Sequence, residues 1–167
     1  MKNPPGNCRR NLHRIIQFQG ICAVRKNISV CISRYRHRRA LELSNRPNVE
    51  LLQLGGIVHH SSASTAGSFA ERILDELFCG VLFLGVDGID LEHGLIITNI
   101  VEASLNQKMI VLAQTVVGLA DSSKFNKRGL DKICQLDQID YIVTDKYVSK
   151  ITVIKIEKPG IKVLIVA

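Results

Sequence analysis

Tryptophan is absent from this 167-residue chain, and aromatic residues make up only 5% of it. Since 46% of the residues are nevertheless hydrophobic, the core must be built mainly from aliphatic side chains. The uncharged and largely apolar stretch at residues 109–120 has 12 residues, whereas a membrane-spanning helix needs about 20. No apolar segment follows the charges at the N-terminus, so neither a membrane span nor a secretory signal is predicted, and we expect a cytoplasmic protein.

Common motifs that hold metals or nucleotides are also missing. The five cysteines form no Cys-x-x-Cys pair, and no acid or cysteine lies at ligand spacing from His59 and His60. We therefore predict no metal site. Neither Gly-x-x-x-x-Gly-Lys-Ser/Thr nor Gly-x-Ser-x-Gly occurs, and no cofactor is predicted. Cys79 and Cys134 lie in apolar runs and are expected to be buried free thiols.

Positive charge is concentrated at one end of the chain, whose net charge is +7. Residues 1–46 contain eleven Lys or Arg and one acid, which gives a net charge of +10. Residues 47–167 contain eleven Lys or Arg and fourteen acids, which gives a net charge of −3. Clustered arginines can neutralise nucleic-acid phosphates, but a solvated tail has the same composition. Because residues 1–39 also lack a regular period, they are predicted to be a separate basic segment before a domain over residues 40–167.

In that second part, short apolar runs alternate with helix-like patterns. Strands are predicted over residues 49–54, 81–84, 116–119, 140–143 and 161–166, and helices over 67–79 and 101–112. Leu41 and Leu43 indicate the end of another helix, and residues 61–65 are predicted to be a polar loop. This alternation predicts an α/β domain with a mostly parallel, Rossmann-like sheet flanked by helices.

Three polar clusters follow predicted strands. They are Asp87 with Asp90, the run Asp121-Ser122-Ser123-Lys124, and Thr144 with Asp145. Ligands of open parallel sheets bind beyond the carboxyl ends of the strands, and Gly85 and Gly88 would let backbone amides approach an anion. A lysine beside two hydroxyls suits a phosphate or an acidic sugar. The alternative is that Asp and Ser simply end these strands as turn residues.

Glu102 lies near the start of the predicted helix over residues 101–112. A carboxylate in the first helical turn is favoured by the helix dipole without any further role. If it faces the same crevice as Asp87, it could instead accept a hydrogen bond or a proton from a sugar hydroxyl.

Taken together, these residues resemble the C-terminal sugar-binding domain of DeoR-type bacterial transcription repressors. The resemblance rests on residues 83–90 (FLGVDGID), Glu102-Ala103 and residues 120–125 (ADSSKF), in the family's order and spacing, with support from Gly55-Gly56 and Thr144-Asp145. It extends from about residue 40 to the end of the chain. Residues 121–126 are most similar to the branch that represses N-acetylgalactosamine and galactosamine catabolism.

The resemblance implies a fold and a site. The fold is similar to that of ribose-5-phosphate isomerase, in which an Asp-Gly-x-Asp loop, a glutamate and an Asp-x-Ser-Lys turn line the sugar phosphate. Carried over, the ligand-binding residues of this chain are Asp87, Gly88, Asp90, Glu102 and Lys124. The implied partners are a sugar phosphate effector, with an amino-sugar phosphate favoured, and DNA through an N-terminal winged helix-turn-helix. An oligomer is compatible with these expectations.

Two parts of the family pattern are not found. Residues 1–39 resemble neither the helix-turn-helix nor the Asp-Ser-Gly-Thr-Thr loop that would be expected to hold the phosphate. We therefore expect a copy truncated at its N-terminal side, and a shifted reading frame over residues 8–39 is one explanation. The leading hypothesis is a non-enzymatic sugar-phosphate sensor. The alternatives are an aldose–ketose phosphate isomerase with Glu102 as base, and a small basic nucleic-acid-binding protein.

Overall fold

A computed structural model describes residues 21–23, 29–33, 45, 49–59, 64–127, 129 and 131–166. Twelve strands occur within these ranges. They are β1 (Ile21–Ala23), β2 (Ser29–Ser33), β3 (Val49–Gln53), β4 (Ile57–His59), β5 (Ser64–Ala66), β6 (Cys79–Gly85), β7 (Gly88–Asp90), β8 (Gly94–Ile97), β9 (Ala113–Leu119), β10 (Asp131–Cys134), β11 (Tyr141–Asp145) and β12 (Lys162–Val166).

Three α-helices lie among the described residues. They are α1 (Ser68–Leu74), α2 (Ile100–Leu112) and α3 (Lys150–Glu157), and two short 3₁₀ helices cover Ser122–Lys124 and Leu136–Gln138. The amino end of α2 is capped by Asn99, whose side chain accepts hydrogen bonds from the amides of Val101 and Glu102. Ser149 caps α3 in the same way, since its side chain accepts from the amide of Thr152. Such caps satisfy amides that have no partner inside the helix.

Seven strands form the central sheet, in the order β12-β11-β9-β6-β1-β2-β3. The four consecutive strands β6, β9, β11 and β12 are parallel to one another, and β2 is parallel to β3. Only β1 runs antiparallel to its two neighbours in this sheet. The prediction of an α/β fold with a mostly parallel sheet is confirmed.

Side chains of the central strands alternate between two hydrophobic clusters, as the two-residue period of a strand requires. The larger cluster contains Leu82, Leu84 and Ile142 with residues from all three helices. The smaller cluster, on the opposite face, consists of Val117, Leu119, Tyr141 and Val143 with partly buried neighbours. Tyr141 is the only aromatic residue in these two sets of buried residues, so the core is aliphatic as the composition predicts.

Two small sheets accompany the central one. Strands β10, β8 and β7 form an antiparallel three-stranded sheet, and β4 and β5 form a hairpin. The small three-stranded sheet packs against α2. Two of its strands, β7 and β8, lie between β6 and α2 in the sequence, so this sheet fixes the position of the residues that follow β6.

The structure changes several predicted elements. The predicted helix over residues 67–79 ends at Leu74, and Cys79 instead begins β6, where it pairs with Ala113. The predicted polar loop over 61–65 is wrong at Ser64 and Thr65, which belong to the buried strand β5. The helix end at Leu41 and Leu43 lies outside the described residues.

The N-terminal segment contributes two short strands to the described structure. β1 and β2 lie before residue 40 and pair within the central sheet. The first 20 residues lie outside the described ranges. The division of the chain at residue 40 stays a prediction. The shifted reading frame also stays a prediction, and the coding DNA across residues 8–39 would test it.

The two cysteines of the apolar runs differ in their chemistry. Cys134 is a buried free thiol, and burial raises its pKa to about 12. Cys79 is disulfide-bonded, so the expectation of a free thiol is wrong at that position. Among the described residues, none of the helices is long and apolar enough to cross a membrane.

Gly94 generates a prediction for the small three-stranded sheet. It has φ +92°, and an added Cβ would collide with the backbone carbonyl of Cys134 on the paired strand β10. Gly94→Ala should therefore destabilise the fold by more than the ~1–3 kcal/mol of a strained left-handed residue. Gly160→Ala is the matched control, because Gly160 has φ +101° with no atom within 4 Å of the added carbon. Urea unfolding, monitored by circular dichroism, measures the free energy of unfolding of both variants. An equal loss of stability in the two variants would contradict the predicted collision.

Candidate functional site

The candidate site lies at the carboxyl edge of the central sheet. Because β6, β9 and β11 are adjacent and parallel, their carboxyl ends meet at one edge. Two of the polar clusters follow β6 and β9, and Thr144 with Asp145 ends β11, so the sheet brings all three to the same side of the domain. This is the position at which open α/β sheets bind ligands.

Asp87 is held in place by the residues that lead into α2. Its Oδ2 accepts hydrogen bonds from the amide of Thr98 at 3.1 Å and from the Thr98 hydroxyl at 2.9 Å. Its own amide donates to the carbonyl oxygen of Ile96 at 3.0 Å. Asp87 therefore joins the end of β6 to the start of α2, which carries Glu102.

Gly88 allows two loops of the site to lie against each other. A Cβ at this position would lie 2.7 Å from the backbone oxygen of Lys127. One residue later, the amide of Asn126 donates to the carbonyl of Ile89 at 2.8 Å, and Ile89 forms a parallel bridge with Phe125. The space beside Gly88 is filled by this chain, so the glycine is explained by contact with the loop after β9.

Asp90 is a buried carboxylate that organises the turn following β7. Its Oδ1 accepts hydrogen bonds from the amides of Glu92 and His93 and lies 2.9 Å from the His93 Nδ1. The hydrogen bond from the His93 ring, followed by those from the two amides, holds the pKa of Asp90 well below its usual range. The Asp90 carboxylate therefore stabilises its own turn, which agrees with the alternative interpretation that this acid ends its strand as a turn residue.

Glu102 lies in the first turn of α2 and is almost completely buried. Its Oε1 accepts a hydrogen bond of 2.7 Å from the hydroxyl of Ser64, a fully buried residue of β5. A buried carboxylate needs such a partner, because its desolvation is otherwise very costly. The predicted polar loop around Ser64 therefore supplies a partner that the sequence did not identify.

The loop after β9 is fixed by two carboxylates. Asp121 accepts from the amide of Ser123 at 2.9 Å and caps the 3₁₀ helix that contains Lys124. Asp145, at the end of β11, accepts from the amides of Ser122 and Tyr147. Desolvation raises the pKa of Asp145, but these hydrogen bonds outweigh it, so its pKa lies below the ordinary value.

The five candidate ligand residues differ in accessibility. Asp87 and Lys124 are partly exposed, whereas Gly88, Asp90 and Glu102 are buried. The contacts described above bring the loops carrying Asp87, Gly88 and Lys124 together, and Thr98 links Asp87 to the helix of Glu102. Thr144 is fully buried, so Asp145 is the more accessible member of its cluster.

Sequence reasoning missed Thr98, Ser64 and Asn126 as parts of this site. Thr98-Asn99 directly precedes the predicted helix, and a polar pair at a helix start is a recognisable signal. No sequence signal connects Ser64 with Glu102, which lies 38 residues away. Asn126 has φ +56°, a conformation that Asn adopts more readily than most residues.

Taken together, the parallel sheet and the loops at its carboxyl edge define an α/β ligand-binding domain. Residues 21–146 match the family model described as the DeoR C-terminal sensor domain. The chain belongs to this family. The match begins at residue 21 and includes every candidate ligand residue.

Several relatives are named as transcription regulators. The chain is 35% identical over 160 residues to a candidate aga operon transcriptional repressor of Escherichia coli O157:H7, covering 92% of this chain and 60% of that protein. It is 32% identical over 127 residues to the transcriptional regulator GlpR of Haloferax volcanii, covering 76% and 49%. It is 28% identical over 123 residues to the transcriptional repressor GlcR of Bacillus subtilis, covering 74% and 47%. The chain therefore spans about half to three-fifths of these relatives.

The carboxylate of Asp90 generates a prediction about pH. Asp90→Asn removes the charge that accepts these hydrogen bonds, so the variant should be less stable than the wild type at pH 7. Because the folded pKa of Asp90 is lowered, its contribution is present above the ordinary carboxyl pKa of about 4 and is lost as the pH falls below it.

Urea midpoints measured between pH 3 and pH 7 test this prediction. The difference between wild type and Asp90→Asn should shrink as the pH falls through 4. Asp137→Asn is the control for the loss of an exposed carboxylate, because Asp137 is an exposed residue of the 3₁₀ helix Leu136–Gln138. A difference that is the same at both ends of the pH range would show that the charge of Asp90 is not what stabilises the turn.

Proposed function

We propose that this chain is the effector-sensing part of a DeoR-type regulator of carbohydrate catabolism and that its ligand is a sugar phosphate. The observation that carries the proposal is the meeting of the loops after β6 and β9, through the Asn126–Ile89 hydrogen bond, at the carboxyl edge of the sheet. Membership of the sensor-domain family and relatives named as transcription regulators support it. A cytoplasmic location follows from the same proposal.

The residues proposed to build the binding site are Asp87, Gly88, Asp90, Glu102 and Lys124, and Gly88 contributes by giving room to the loop after β9. Lys124 supplies the positive charge for a phosphate, and its 3₁₀ helix is fixed by Asp121 and Asp145. Asp87 is the accessible carboxylate that can accept hydrogen bonds from sugar hydroxyls. Asp90 and Glu102 are buried and already accept hydrogen bonds, so in this proposal they hold the loops and helix around the ligand.

An amino-sugar phosphate is the proposed ligand, because residues 121–126 resemble the amino-sugar branch of the family. The affinity should be weak, since the sequence contains no Asp-Ser-Gly-Thr-Thr loop. Each charge-assisted hydrogen bond to phosphate contributes ~1.5–3 kcal/mol. Losing two or three of them removes ~3–9 kcal/mol, compared with ~8 kcal/mol for a micromolar affinity. We therefore expect millimolar binding.

Titration of the full chain with galactosamine 6-phosphate and N-acetylgalactosamine 6-phosphate tests this proposal. Calorimetry detects a micromolar constant, and NMR chemical-shift titration detects a millimolar one. Lys124→Ala and Asp87→Asn should each abolish the shifts, because they remove the phosphate cation and the hydroxyl acceptor. Lys162→Ala is the matched control, because Lys162 begins β12 at the opposite edge of the parallel strands.

The possible outcomes test the location of the binding site and the strength of binding separately. A micromolar constant lost in Lys124→Ala would support the site and contradict the weak affinity. Equal effects of Lys124→Ala and Lys162→Ala would contradict the site. Conversion of ribose 5-phosphate, lost in Glu102→Gln, would instead support an isomerase, and salt-dependent DNA binding insensitive to sugar phosphates would support the basic-segment hypothesis.

In the complete regulator, we propose that the effector shifts the protein away from its DNA-binding state towards a second state. A ligand shifts such a balance only through its different affinity for the two states. DNA binding is assigned to an N-terminal helix-turn-helix, as in the family pattern, and to no residue of this chain. No bond is made or broken in the sensing step proposed here.

A further inference from the structure

A cavity of about 420 Å³ lies between α2, strand β10 and the 3₁₀ helix Leu136–Gln138. None of the residues assigned above to the sugar phosphate lines this cavity. Its volume falls in the range of about 300–1,000 Å³ that is typical of small-molecule sites. The domain therefore has room for a second ligand, separate from the candidate site.

The floor of the cavity is apolar. It is formed by Ile110, Ile133 and Cys134, all of which are buried. The register of β10 against β8 shifts between Lys132 and Cys134, and such a shift lets consecutive side chains face the same side, which a regular strand does not. Because burial raises the pKa of the Cys134 thiol to about 12, this thiol is uncharged at neutral pH and packs as a small hydrophobic group.

The rim of the cavity is polar and exposed, and it carries Gln107, Lys132 and Gln138. The Gln107 Nε2 donates a hydrogen bond of 3.0 Å to the Lys132 carbonyl, which joins α2 to β10 beside the cavity. The Gln138 Oε1 accepts a hydrogen bond of 3.2 Å from the Gln135 amide. This bond orients the Gln138 side chain and leaves its Nε2 group as a donor.

Lys132 supplies a positive charge to this rim. Among the residues that the structure describes, Lys132 forms no ion pair. None of the described residues that line the cavity is acidic. Asp137 lies close enough to raise the pKa of the Cys134 thiol, but it is not a lining residue. The cavity thus combines an apolar floor with an ammonium group and an amide donor at its edge.

We propose that this cavity binds a small carboxylic acid with an apolar body. The carboxylate accepts hydrogen bonds from Lys132 and Gln138 at the rim, and the apolar body covers Ile110 and Ile133 on the floor. A sugar phosphate does not suit this cavity, because its hydroxyls would lose their hydrogen bonds to water against an apolar surface. The proposed acid is therefore a second ligand, whose binding does not require the function proposed above.

NMR chemical-shift titration of the full 167-residue chain with three probes provides the first test. Cyclohexanecarboxylate carries both the charge and an apolar body, cyclohexanecarboxamide has the same shape without the charge, and acetate has the charge with almost no apolar body. We expect cyclohexanecarboxylate to bind about fivefold more tightly than either of the others, because it alone uses both rim and floor. The shifted amide signals should be concentrated in residues 107–111 and 132–138.

Substitution of the rim lysine separates charge from shape. Lys132→Gln should lower the affinity for cyclohexanecarboxylate to that for the carboxamide and leave carboxamide binding unchanged. Lys155→Gln, at an exposed position of α3, should change neither affinity. Lys124→Ala should also leave cyclohexanecarboxylate binding unchanged, because Lys124 belongs to the candidate site. Circular dichroism should show that all three variants remain folded.

The inference is overturned if cyclohexanecarboxylate shifts no signal of the lining residues, or if it binds no more tightly than the carboxamide. It is also overturned if Lys155→Gln weakens binding as much as Lys132→Gln does. Loss of binding in Lys124→Ala would place the acid in the candidate site and would equally contradict a second cavity site. The titration with amino-sugar phosphates measures the proposed function separately.

Discussion

The contact between the loops after β6 and β9 is the constraint on which the candidate site depends. Parallel strands place the two loops at one edge, and the Asn126–Ile89 hydrogen bond and the bridge to Phe125 join them in register. The approach leaves no room for a side chain at Gly88. The 3₁₀ helix carrying Lys124 is therefore positioned by these backbone contacts together with the side chains of Asp121 and Asp145. A rigid backbone frame of this kind limits the ordering cost of binding a ligand.

The carboxylates around this frame mainly organise the protein itself. Asp87 holds Thr98, Asp90 holds its own turn, Asp145 holds the loop of Lys124, and Glu102 accepts from Ser64. A carboxylate offers about four acceptor positions, so one or two such bonds fix its orientation without using its full capacity. The turn-residue and ligand-binding interpretations of these acids are therefore compatible, and the partly exposed Asp87 can serve in both ways.

Periodicity predicted the fold well where a strand is buried on both faces. The apolar run at residues 81–84 and the runs at the carboxyl halves of β9 and β11 are continuous, because residues on both faces of these strands are buried or partly buried. β12 is an edge strand, and its Ile165 is 54% exposed. Periodicity failed where tertiary contacts decide the structure. The composition around Ser64 predicts a loop, but Ser64 pairs with His59 in the β4–β5 hairpin and is buried beside Glu102. The polar clusters at strand ends were predictable because parallel topology alone aligns them. Their hydrogen-bond partners were not, since contacts such as Ser64–Glu102 join residues far apart in sequence.

Strand β6 connects the candidate site with the N-terminal part of the chain. Asp87 lies two residues after Gly85, the last residue of β6, and the neighbours of β6 in the sheet are β9 and β1. β9 leads into the loop of Lys124, whereas β1 lies before residue 40. The strand that leads to Asp87 is therefore held on one side by the strand that leads to Lys124 and on the other by the segment that the charge distribution sets apart. A ligand at the carboxyl edge could act on that segment only through a shared element with two discrete arrangements, and β6 is the strand that is common to both.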